Sequence, residues 1–127
     1  MVPLRLDVTD SAQVAAAATA APDVTLLVNS AGYAAFQGAI AAPDISAARR
    51  EMAVNYFGPL VLTRTFKPAL AAPGGGAVVN MLSMAALVSL PITGTYSASE
   101  AAFLSVMRSI RIPVANGSAD AVYPYWI

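Results

Sequence analysis

The stretch TYSASEAAF, Thr95–Phe103, holds the residues whose types and spacing most suggest chemistry. Tyr96 lies four residues before Glu100, and on a helix that separation puts two side chains on one face. A phenol can give or take a proton, and a neighbouring charge decides how readily it does so. A cation stabilises a tyrosinate, whereas a carboxylate opposes it. The pair therefore combines a spacing suited to acid–base work with a charge of the wrong sign. The chain has neither His nor Cys, which excludes imidazole bases, thiolate metal sites and disulfides.

The elements that must position such residues can be read from the apolar runs and their breakers. Val2–Leu6 reads as a short strand, and Asp10 or Ser11 caps an Ala-rich helix to about Ala21, stopped by Pro22. Val24–Val28 is a continuous run of Leu and β-branched residues, the pattern of a strand buried on both faces. Asn29–Pro43 is a loop, and Asp44 or Ser46 caps a long helix to about Lys67, ended by Pro68. Gly74–Gly76 is a turn feeding a buried strand from Ala77 to about Leu82, and Ser83–Gly94 is a loop. A helix starts at Thr95 or Ser97 and runs to about Arg111, with Pro113 beyond it and a last short strand within 118–124. This βαβαβαβ order predicts a parallel sheet with helices on its faces.

In such sheets ligands bind beyond the carboxyl ends of the strands. That rule selects Asp7 after the first strand, Asn29–Gly32 after the second and Ser83 after the third. Asn55 lies within the long helix, and Tyr96 opens the next one. Each has an ordinary reading as a helix cap, a turn, a satisfied hydroxyl or a packing aromatic.

With 127 residues the chain makes a single domain. It is 57% hydrophobic and 11% charged with zero formal net charge, so no basic field suits nucleic acid. No unbroken apolar run reaches the roughly 18 residues of a membrane span; Val78–Ile92 comes nearest and is interrupted by Asn80, Ser83, Ser89 and Pro91. The opening MVPLRLDVTD has no apolar h-region, so the expectation is a soluble, cytoplasmic protein without a membrane partner. The low charge suggests a surface covered by a partner copy, or a fold with part missing.

Taken together, the ordered motifs resemble the short-chain dehydrogenase/reductase family. LLVNSAG is similar to its Asn-Asn-Ala-Gly motif, with Ser30 in the second Asn position, and LDVTD to its adenine-contacting Asp segment. MAVNYFGPLVLTR resembles the helix carrying its catalytic Asn, and GGGAVVNMLSMAALVSLPITGTYSASEAAF its active-site strand, Ser loop and Tyr helix. Ser83 precedes Tyr96 by thirteen residues, as the family's Ser precedes its Tyr. VYPYWI is similar to its Pro-Gly segment. The resemblance implies an incomplete, Rossmann-like, doubly wound parallel sheet of about four strands and three helices. It also implies hydride transfer between NAD or NADP and a small alcohol or carbonyl substrate. By the same resemblance Tyr96 is the general acid/base and Ser83 polarises the carbonyl. Asn55 holds a relay water at a local helix irregularity. Asp7, Asn29, Ala31 and Gly32 bind the cofactor.

Four departures accompany the resemblance. Glu100 stands where the family has Lys, which predicts impaired catalysis. No Gly-rich phosphate cradle precedes Val2, so residues 1–127 are expected to be one partial domain starting at the family's third strand. Tyr125 replaces a Gly, and the chain stops at Ile127 before the family's substrate loop. In the full family sheet two further strands separate the first two of this chain. Here Val2–Leu6 must either pair beside Val24–Val28 or detach, leaving an exposed edge that invites self-association. The alternative reading is a non-catalytic remnant, acting as a structural or oligomerisation subunit through helices 44–67 and 95–111, or a fragment of a longer enzyme.

Overall fold

The computed structural model describes residues 2–110. The expected last strand, the VYPYWI segment and Tyr125, and the end of the last helix at Arg111 lie outside the described residues. Asp10 caps α1 (Ser11–Ala20), its carboxylate accepting from the N–H groups of Ala12 and Gln13. β1 is Leu26–Asn29 and β2 is Ala77–Asn80. They pair in parallel with Leu26 beside Ala77 and Asn29 beside Asn80. Gly74 and Gly75 turn the chain into β2 at φ 102° and 72°, where a side chain would be strained.

The long helix is continuous but not uniform. α2 (Ser46–Met52) passes into a π-helical turn, Ala53–Phe57, and then into α3 (Gly58–Leu70). The Gly58 N–H reaches back five residues to the Ala53 carbonyl. Pro59 explains the irregularity, since its ring and missing N–H are incompatible with a regular turn around the Asn55 carbonyl. Pro68 does not end the helix as expected. It lies in the last turn of α3, where only one more bond is lost, and the helix continues to Leu70. Ser83–Gly94 contains two short 3₁₀ turns, Met84–Ala86 and Pro91–Thr93, where a loop is expected. α4 follows as Gly94–Ser109.

The described residues thus hold three helical units and two of the expected strands, the fourth lying outside them. Among the described residues Val2–Leu6 joins no ladder and does not pair beside β1. A cavity of about 390 Å³ opens between it and β1, bordered by Leu4, Leu6, Leu27, Val28 and Phe66. The core lies on one side of the sheet, where Val14 and Ala17 of α1 and Leu62, Phe66 and Leu70 of α3 bury Val78. A second cluster joins Leu82 and Ala86 to Phe103, Leu104 and Met107 of α4. Burial of β1 on both faces is not observed. Leu26 and Val28 are 55% and 51% exposed, because α1 and α3 cover only the opposite face.

Candidate active site

Ser83 and Tyr96 come together at one cavity of about 460 Å³, with Ala34, Phe36, Met84 and Thr93 among its other walls. Ser83 follows β2 by three residues and caps the first 3₁₀ turn, its Oγ accepting from the Ala85 N–H at 3.1 Å. Tyr96 is in the first turn of α4, and among the described residues its hydroxyl has no hydrogen-bond partner. Phe36 at the same cavity adopts φ 54°, the left-handed region that is uncommon for a bulky residue and recurs at ligand sites.

Asn55 sits in the π-helical turn, as the expected irregularity requires, and is buried. Its Oδ1 accepts from the Tyr33 N–H at 2.8 Å. Its Nδ2 donates to the Tyr33 carbonyl at 2.8 Å and to Ser99 Oγ at 2.9 Å. Ser99 Oγ in turn donates to the Tyr96 carbonyl at 2.7 Å. One side chain therefore ties the loop after β1 to the helix that carries the tyrosine. With both Nδ2 hydrogens in use, the side chain is a structural clamp. The main-chain carbonyl of Asn55 is in a different position, since Pro59, four residues on, has no N–H to donate to it.

Asp7, Ala31 and Gly32 line another cavity, of about 410 Å³, with Leu6, Tyr33 and Arg50. The Asp7 carboxylate accepts from the Thr9 N–H and hydroxyl, and the hydroxyl bond in particular holds its carboxyl below the usual range. Asn29 does not line this cavity. It faces the helices, donating from Nδ2 to Asn80 Oδ1 at 2.6 Å and to Thr63 Oγ1 at 3.4 Å, and it borders the cavity beside Val2–Leu6. Among the described residues Asn29 Oδ1 and Asn80 Nδ2 are buried without a partner.

Glu100 does not share the cavity of Ser83 and Tyr96. It is buried at 6% exposure, and its Oε2 accepts from the Ser83 main-chain N–H at 2.8 Å. Burial pushes its carboxyl up from the ordinary value, partly opposed by the Ser83 N–H.

Sequence reasoning missed several neighbours. Ser99 completes the Asn55 clamp, Arg50 stacks its guanidinium 4.6 Å from the Tyr33 ring centroid, and the buried Glu51 accepts from the Ala35 N–H. Among the described residues Glu51 Oε2 has no partner. Spacing could have singled out two of them, since Glu51 lies one turn before Asn55 and Ser99 three residues after Tyr96.

The site is that of an α/β domain with its polar residues gathered beyond the carboxyl ends of parallel strands. The chain belongs to the short chain dehydrogenase family, whose model matches residues 1–125. It is similar to dehydrogenase/reductase SDR family member 7B of Mus musculus, at 30% identity over 106 residues covering 82% of this chain and 32% of the relative. Among solved structures, it is similar to a short chain dehydrogenase from Burkholderia cenocepacia J2315 in complex with NADP. Identity there is 44% with a TM-score of 0.86, over 98% of this chain and 51% of the other. A short chain dehydrogenase/reductase from Burkholderia phymatum in complex with NAD shows 30% identity and a TM-score of 0.82, over 98% and 46% of the two chains. The chain spans about a third of the length of the first curated relatives and about half of these solved chains. No helix of the described residues is long and apolar enough to cross a membrane.

Proposed function

We propose that this chain carries the catalytic half of an NAD(P)-dependent oxidoreductase acting on a small alcohol or carbonyl compound. The observation that carries the reading is the convergence of Ser83 and Tyr96 on one cavity. The fit to a dinucleotide is supported at both ends. Asp7, with Ala31 and Gly32 presenting little side chain, would hold the adenosine end, and the cavity of Ser83 and Tyr96 would take the nicotinamide end. Bound there, the dinucleotide supplies or accepts the hydride. In the reducing direction the Ser83 hydroxyl donates to the substrate carbonyl oxygen and stabilises the charge that develops on it. Tyr96 gives that oxygen its proton as the new C–H bond forms, leaving an alcohol and a tyrosinate. The Asn55 carbonyl, lacking a helical donor from Pro59, would hold the water that returns a proton to Tyr96.

In this reading residues 1–127 are part of one Rossmann-like domain, and they contain no Gly-rich turn of the kind that cradles a pyrophosphate. A self-associating protein is supported by the exposure of Ile45, just before the helix of residues 46–70, and of Phe57 and Val61 along it. A cytoplasmic setting would give the activity an NAD(P)H pool to draw on. The test is a fluorescence titration of NADH and NADPH against the purified chain, followed by assay with small aldehydes and ketones. Saturable binding and consumption of the reduced cofactor are expected. Absence of binding at millimolar cofactor would overturn the proposal for this chain.

A further inference from the structure

We infer that Glu100 is a positioning residue for Ser83, tethering the serine's main chain to α4 so that its hydroxyl keeps one donor for the cavity it shares with Tyr96. The inference rests on the oxidoreductase reading for its functional half and on geometry alone for its structural half.

The hydrogen-bonding groups of Ser83 are held from two directions. Its N–H donates to Glu100 Oε2 at 2.8 Å, and its Oγ accepts from the Ala85 N–H at 3.1 Å. Among the described residues the hydroxyl hydrogen has no acceptor, so the side chain faces the cavity with one donor to give. The two bonds act from opposite sides. One sets the main chain of residue 83 against α4, and the other sets the side chain against the 3₁₀ turn. Leu82, next in the chain, adds an apolar anchor to the same helix through Phe103 and Leu104. Glu100 is thus aimed at the strand end and not at Tyr96, although the two lie one turn apart.

The chemistry of position 100 then separates the substitutions. A carboxylate and a neutral carboxyl group both offer an acceptor oxygen, so the tether persists in either protonation state. Gln keeps an amide oxygen in the same place. Lys carries donors only and cannot receive an N–H, and Ala leaves the Ser83 amide without its partner. Restoring the family's Lys at this position would therefore release Ser83 rather than repair the site.

The experiment measures amide exchange at Ser83 by NMR in the parent and in Glu100→Gln, Glu100→Ala and Glu100→Lys. NADPH-dependent reduction of a panel of small aldehydes and ketones is assayed alongside. Gln should keep the Ser83 protection and a kcat within about threefold of the parent. Ala and Lys should raise Ser83 exchange by about tenfold or more. They should lower kcat while leaving the KM for NADPH near its parent value. Unchanged Ser83 protection in the Ala variant overturns the tether, as does a parent whose Ser83 amide exchanges like an unprotected loop; both hold even where the Lys variant does not fold. A Lys variant that turns over faster than the parent overturns the positioning role. A parent with a protected Ser83 amide and no cofactor binding sinks the oxidoreductase reading and leaves the tether standing.

Discussion

At the scale of single residues, Tyr96 and Glu100 carry opposite relations to the cavity. Tyr96 lines it and has a hydroxyl with no described partner, so Tyr96→Phe removes the proton donor while leaving the ring that packs there. Turnover should fall by roughly 10²–10⁴, the usual worth of a positioned acid–base group, with NADPH affinity within a few-fold. A Phe variant with parental kcat in the cofactor-absorbance assay would remove Tyr96 from the chemistry. Glu100 instead leaves a mark on stability. Burial raises its carboxyl above the ordinary value, so the folded chain holds the proton more tightly than the unfolded chain. Its contribution is complete below the unfolded value and is lost as pH climbs through the raised native one. Asp7, Asp10 and Asp44 run the other way. Hydrogen bonds from Thr9, Gln13 and Ser46 hold them below the ordinary carboxyl value, so their contribution is lost as pH falls. Urea midpoints followed from the unfolded carboxyl range upward should therefore decline more in the parent than in Glu100→Gln. Parallel curves for the two proteins would mean that the buried carboxyl is not the source.

At the scale of elements, the π-helical turn is the feature on which the site is hung. It places Asn55 so that three hydrogen bonds reach Tyr33 and Ser99, and through Ser99 the start of α4. Asn55→Leu should cost about 2–4 kcal/mol, because it leaves the Tyr33 N–H and carbonyl unpaired in a part-buried site. Chemical denaturation measures this, and a loss under about 0.5 kcal/mol, the size of a plain surface change, would show that the clamp is not structural. What was legible here follows a pattern. Asp10 as a cap and the Gly74–Gly75 turn are local devices, read from a few adjacent residues, whereas the helix irregularity at Asn55 was legible only through the family resemblance. The continuation of α3 through Pro68 was not legible, since the cost of a proline depends on how many bonds remain after it. Nor was the Glu100–Ser83 bond, which joins residues 17 apart in sequence on different elements. The exposure of Leu26 and Val28 eluded the sequence for a related reason. A β-branched run reports what a strand is suited to, while burial depends on which neighbours cover it.

At the scale of the whole molecule, two apolar surfaces compete to explain self-association, and they predict different mutants. One is the exposed sheet face of Leu26 and Val28 with the edge of β1 that is unpaired among the described residues beside it. The other is the outer side of the long helix, where Ile45, Met52 and Phe57 border a shallow cavity of about 530 Å³. Phe57 is 53% exposed and packs edge-on to Tyr56 at 4.8 Å between ring centroids, so the helix presents a rigid aromatic rather than a mobile chain. Rigid exposed aromatics make strong association points, because little side-chain entropy is lost on contact and much apolar area is covered. A flat sheet edge, by contrast, associates through main-chain groups and tends to continue past a closed dimer. The chain should therefore sediment as a discrete dimer through the helix. Phe57→Glu should weaken that dimer by roughly thirtyfold or more, the scale of an interfacial hot spot. Val28→Glu should leave it unchanged while reducing any higher aggregates. Sedimentation equilibrium of the three proteins separates the two surfaces: a dimer abolished by Val28→Glu and untouched by Phe57→Glu would assign the contact to the sheet.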